Sequence, residues 1–136
     1  MVEGSCLCGD VRYAVTGPLR PVVACHCIQC RKTSGHFVAA TSAPRDTVKV
    51  TGPVAWYQSS PEARRGFCPR CGSSLFWDGP GSHISIHAGT LDGETGLALA
   101  GHIFCAFKGD YYPISDPLPQ VAADDPDLTT QVTDDR

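Results

Sequence analysis

Seven of the chain's eight cysteines fall in three tight groups: Cys6-Leu7-Cys8, Cys25-His26-Cys27-Ile28-Gln29-Cys30 and Cys68-Pro69-Arg70-Cys71. No other feature constrains the fold as much, because sulfurs spaced this closely must converge on common points. Alternate residues of an extended strand share a face, so Cys25 and Cys27 point to one side. A tight turn through Ile28 and Gln29 then brings Cys30 beside them. Three sulfurs at one point form a metal site. Structural zinc takes four protein ligands, whereas catalytic zinc takes three and keeps an open position, so a local count of three points to reactivity.

The other two groups complete each other. Cys6 and Cys8 are flanked by Gly4 and Gly9, and Cys68-Pro69-Arg70-Cys71-Gly72 has the composition of a zinc knuckle. Proline and glycine there let backbone N–H groups turn towards the sulfurs, which favours thiolate and metal. Cys6, Cys8, Cys68 and Cys71 make a closed four-sulfur set. It staples the N-terminus to the middle of the chain and closes a long loop that a small domain struggles to order otherwise.

Around these groups the chain reads as one all-β domain with at most a small amount of helix. It has 136 residues, and 14 Gly and 11 Pro punctuate short apolar segments. Val11, Tyr13 and Val15 alternate with polar or small residues. Further strands are predicted at Pro21–Ala24, His36–Thr41, Thr47–Val50, Val54–Tyr57, Arg64–Phe67, Ser74–Trp77, His83–His87 and His102–Phe107. This spacing fits a sandwich or barrel of antiparallel sheets. No apolar run is long enough to span a membrane, and Met1–Ser5 lacks the marks of a signal peptide, so a cytoplasmic location is expected. In that reducing compartment the paired cysteines read as metal ligands rather than disulfides.

The formal charge of −3 is unevenly placed. Residues 116–136 hold six aspartates (Asp116, Asp124, Asp125, Asp127, Asp134, Asp135) against Arg136 alone, leaving about +2 on residues 1–115. The first 115 residues are therefore expected to form the zinc-binding β domain. The rest reads as an acidic, Pro-rich tail, largely unpacked. So weakly basic a domain does not carry a nucleic-acid footprint.

The open question at the second site is its fourth ligand. His26, His36, His87 and Cys105 are the candidates that would close it, although His26 points to the face opposite its neighbouring cysteines. His83 and His87 share one strand face, either as satisfied structural histidines or as a proton relay. A three-thiolate zinc is a soft centre of net −1, suited to accept a substrate thiol, lower its pKa and set it against an aldehyde carbonyl.

In order along the chain, Gly-Ser-Cys-x-Cys-Gly, Cys-His-Cys-x-x-Cys-Arg-Lys-Thr-Ser-Gly, Phe-Cys-x-x-Cys-Gly and Gly-Thr-Leu-Asp resemble the glutathione-dependent formaldehyde-activating enzyme family, which includes centromere protein V. The resemblance covers roughly residues 4–120. It implies a single zinc-stapled complex β-sandwich with two zincs per chain, a structural one on Cys6, Cys8, Cys68 and Cys71 and a catalytic one on Cys25, Cys27 and Cys30. It implies a detoxifying carbon–sulfur lyase whose partners are glutathione or a similar small thiol and a small aldehyde such as formaldehyde. Arg31, Lys32 and Lys108 are the nearest candidates to hold glutathione carboxylates. The competing expectation is a non-catalytic two-zinc β module that binds a protein partner.

Overall fold

The computed structural model describes residues 1–129. The chain is mostly β, in two sheets. The smaller is antiparallel and joins β1 (Val2–Ser5), β2 (Arg12–Val15) and β5 (Val48–Thr51) in the order β1-β2-β5. The larger has seven strands in the order β10-β3-β4-β9-β8-β7-β6. These are β3 (Val22–Cys25), β4 (Val38–Pro44), β6 (Ala55–Ser60), β7 (Ala63–Phe67), β8 (Ser74–Asp78), β9 (His83–His87) and β10 (Leu99–Ile103). Every pairing in it is antiparallel except β10 with β3, which is parallel.

The alternation in His83-Ile84-Ser85-Ile86-His87 divides the work of the large sheet between its faces. Ile84 and Ile86 are buried on one side with Leu75 and Phe76 of β8, where they meet Val11, Tyr13 and Val15. Tyr13 packs edge-to-face on Phe76, ring centroids 5.3 Å apart. Gly4 is required beneath that tyrosine, since a Cβ there would lie 2.1 Å from Tyr13 Cζ. The opposite face carries His83, Ser85 and His87 and forms one wall of a cavity.

Three local expectations change. The turn after Cys27 is a helix, α1 (Ile28–Ser34), with Cys27 as N-cap: its sulfur accepts from the Cys30 N–H at 3.3 Å, and Gly35 closes the helix in the left-handed region at φ 83°. Seven residues are too few to display a 3.6-residue period, so the cap was the available signal. The strand predicted over His102–Phe107 ends at Ile103. Phe104 turns left-handed at φ 55°, and Cys105–Phe107 form a 3₁₀ turn, which takes Cys105 out of the strand predicted over it.

The third change concerns the tail, which packs over residues 116–129. Val121, Ala122 and Ala123 accept hydrogen bonds from the backbone at Phe104–Ala106. A short helix, α2 (Pro126–Thr129), places Leu128 against Val23 and Ile103. Composition alone hid this because one leucine and backbone pairing, rather than an apolar run, anchor the segment. The expected tail residues Asp134, Asp135 and Arg136 lie outside the described residues. Among the described residues no helix is long and apolar enough to cross a membrane.

Candidate metal centres and the cavity beside them

The hairpin carrying Cys6 and Cys8 meets the knuckle between β7 and β8. Cys8 Sγ lies 3.6 Å from Cys6 Sγ and 3.7 Å from Cys68 Sγ, and all eight cysteines are free. A disulfide would need about 2.05 Å. A tetrahedron of sulfurs around zinc, with Zn–S near 2.3 Å, has edges of about 3.8 Å, close to what the structure shows. The backbone points the same way: the Val11 N–H meets Cys6 Sγ at 3.3 Å and the Cys71 N–H meets Cys68 Sγ at 3.5 Å. The Ser73 hydroxyl and backbone pull the Cys71 thiol down to about 5. The donor set therefore fits a soft divalent cation.

Cys25, at the end of β3, Cys27 at the N-cap and Cys30 in the first turn of α1 form the second cluster, their sulfurs within 4.8 Å of one another. Hydrogen bonds from Cys25 and then Cys30 hold the Cys27 thiol far below its ordinary value, while sharing those protons pushes Cys25 far above it. Three sulfurs this close do not all ionise without a cation between them. None of His26, His36, His87 and Cys105 joins the cluster, and no other metal-binding side chain does so among the described residues.

His26 turns away from the sulfurs, as the strand alternation requires. Buried, it lies 2.5 Å from the Tyr112 hydroxyl through Nδ1, and its Nε2 faces His102 Nδ1 at 2.9 Å. His102 Nε2 in turn lies 2.9 Å from Asp116. Burial pushes the His26 imidazole down to about 4. This chain ties the segment after β10 to the loop that bears the cysteines.

The three sulfurs open on a cavity of about 850 Å³ between the large sheet, the start of α1 and the segment ending in α2. Apolar walls come from Ile28, Trp77, Phe104 and Phe107, and two cations reach it, Arg65 and Arg20. Arg65 Nη2 lies 3.8 Å from Cys30 Sγ and 3.1 Å from Gln29 Oε1. Arg20 is 5% exposed and donates to the carbonyls of Pro21, Thr129 and Ala40; burial lowers it to about 10, with Asp124 pulling the other way.

Arg31, Lys32 and Lys108 are elsewhere. Arg31 reaches the Phe107 carbonyl, Lys32 is exposed, and Lys108 donates to the carbonyls of Gly109 and Tyr112 above the Tyr112 ring. Adjacency in sequence does not bring them to the cavity wall, because α1 carries residues 31 and 32 past it. Arg65 was findable only through strand alternation in β7, and Arg20 had no sequence signal.

A small, mostly β domain with a four-cysteine cluster and a three-cysteine cluster opening on a cavity defines a class of proteins whose cysteine sets could hold metal ions. Within that class, the chain belongs to the glutathione-dependent formaldehyde-activating enzyme family, whose model matches residues 1–107. A Halomonas elongata protein named as a glutathione-dependent formaldehyde-activating enzyme is 37% identical over 86 residues, covering 56% of this chain and 55% of that protein. The match thus spans about half the length of that relative. An uncharacterized lyase of Schizosaccharomyces pombe is 26% identical over 127 residues, covering 90% of this chain and 92% of that protein. A Rhodobacter sphaeroides protein of known crystal structure shares the fold at a TM-score of 0.58 and 24% identity, over 71% of this chain and 97% of that one.

Proposed function

We propose that the protein is a zinc-dependent carbon–sulfur lyase-type enzyme, joining or cleaving glutathione or a similar thiol and a small aldehyde such as formaldehyde. The observation that carries this reading is the three-sulfur cluster facing a cavity with no fourth protein ligand among the described residues. Family membership and the names of the two relatives support it.

Cys25, Cys27 and Cys30 would hold the catalytic zinc, and Cys6, Cys8, Cys68 and Cys71 the structural one. Bound by three thiolates, zinc supplies a soft Lewis acid that lowers the pKa of a substrate thiol. The chain's own residues do the rest. Ile28, Phe104 and Phe107 give the cavity an apolar wall beside the sulfurs. Arg65, beside Cys30, offsets negative charge at the sulfurs and offers N–H donors to an oxygen or carboxylate. Arg20 presents a second cation to the same cavity, so in this reading the carboxylate-binding role expected of Arg31, Lys32 and Lys108 passes to Arg65 and Arg20. In the addition direction a carbon–sulfur bond forms, the carbonyl π bond opens, and the thiol proton ends on oxygen; cleavage is the reverse. Holding both reactants in one walled space is the main gain, since the uncatalysed addition already proceeds.

Zinc X-ray absorption on wild type and Cys27→Ser, each titrated with glutathione, tests the reading. The expected result is two zincs in the wild type, one of which gains a fourth sulfur on titration, a change absent from the variant. Two zincs already fully protein-ligated and indifferent to glutathione would leave a non-catalytic module that binds a protein partner.

A further inference from the structure

The cavity holds a titratable group to which the reading above gives no task. His87 ends β9 on the cavity face, and among the described residues neither of its ring nitrogens has a hydrogen-bond partner. It is not a satisfied structural histidine. His83, two positions back on the same face, bonds Ser82 Oγ at 3.1 Å through Nδ1 and leaves a buried Nε2 without a partner.

Sheet register places His87 relative to the sulfurs. His87 pairs with Ala40 of β4, and Ala40 with Val23 of β3; one step of two residues along, Cys25 pairs with Val38. All five residues lie on one face. Two strand spacings and one two-residue step put the Cα atoms of His87 and Cys25 about 12 Å apart. Both side chains line the one cavity, His87 at one end of this stretch of wall and Cys25 at the other. Arg65 enters the same space from β7: it touches Cys30, and its charge is felt at His87. Burial first, and Arg65 second, push the His87 imidazole down to about 4, so it is neutral at physiological pH with a free ring nitrogen to accept a proton.

We propose that His87 is the acid–base residue of this site, moving the proton between the thiol sulfur and the carbonyl oxygen. The proposal rests on the thiol–aldehyde reading. In the addition direction sulfur attacks the carbonyl carbon and the π pair moves to oxygen. The S–H proton passes to the free nitrogen of His87 and from there to that oxygen, which returns the ring to neutrality. Atoms and charge balance, and nothing is oxidised or reduced. A nearby guanidinium disfavours the imidazolium, which makes the first transfer harder and the second easier, so the ring carries the proton only in passing.

The test measures exchange between formaldehyde and S-hydroxymethylglutathione by NMR magnetisation transfer, in the presence of glutathione, for wild type, His87→Asn and His87→Gly. The kcat of both variants is expected to fall roughly 100-fold, a typical loss for general acid–base catalysis. The KM for glutathione stays within about threefold, zinc content is unchanged, and added imidazole restores part of the His87→Gly rate. A structural role would not respond to imidazole. Wild-type kcat in either variant, or a loss that imidazole leaves untouched, overturns the assignment; so does loss of zinc or of the fold in both variants, which would make His87 structural. A wild type inert towards the pair overturns the thiol–aldehyde reading, and this proposal with it.

Discussion

Cys8→Ser isolates the four-sulfur site from the rest of the fold. Cys6 and Cys68 are buried in the core, so replacing either mixes ligand loss with packing loss, but Cys8 is exposed, its sulfur set against Cys6, Cys68 and the Asp10 backbone N–H. If the site holds no metal, this substitution belongs with ordinary surface changes, within about 0.5 kcal/mol. If it does hold one, the metal links Cys8 to Cys68 across 60 residues. By the chain-entropy relation for a cross-link, a loop of that length is worth about 4 kcal/mol through the unfolded state. With an unfolding entropy of about 2.1 cal/mol/K per residue over the whole chain, 4 kcal/mol lowers Tm by roughly 14 °C. The assay is thermal unfolding by circular dichroism at buffered nanomolar free zinc, with metal counted on the same samples. Wild type keeps its metal; the variant loses one zinc and melts well below it. A variant that melts within about 2 °C of wild type refutes the staple, since that is the shift an exposed substitution of 0.5 kcal/mol produces.

The docked segment and the β7–β8 edge each give a further test. Leu128→Ala removes the anchor against Val23 and Ile103; it should cost about 2 kcal/mol, the low end for a buried leucine, because the segment opens locally. Hydrogen exchange should then speed up at the Cys105 and Ala106 amides, which bond Val121 and Ala122, and stay slow in β4 and β9; uniform acceleration would contradict local docking. At Asp78, burial opposes ionisation, but hydrogen bonds from Arg45 at 2.6 Å and Arg64 at 3.0 Å outweigh it and hold the carboxyl below its ordinary value. Its stabilising contribution is complete above the unfolded pKa near 3.9 and fades as pH falls through the lower folded value. Asp78→Asn should therefore cost about 1–2 kcal/mol at pH 7, discounted for the exposure of both arginines, and nothing once wild-type Asp78 is itself protonated. A pH-independent difference in urea unfolding would show that packing, not charge, is responsible.

How much of this was legible beforehand depends on the range of the interaction concerned. Cysteine spacing and period-2 alternation are local properties, so the three-sulfur group, the pairing of the other four and most of the strands could be read directly. The side on which His26 lies followed from the same alternation. The sequence by itself thus determined the β class, the division of seven cysteines into four and three, and the family. Tertiary structure alone decided which cations face the cavity, because Arg20, Arg65 and the sulfurs meet only through strand order and register, while α1 carries Arg31 and Lys32 past it. It also decided that the acidic segment docks and that His87 keeps a free nitrogen. Both depend on what lies across the sheet from a residue, and no local pattern encodes that.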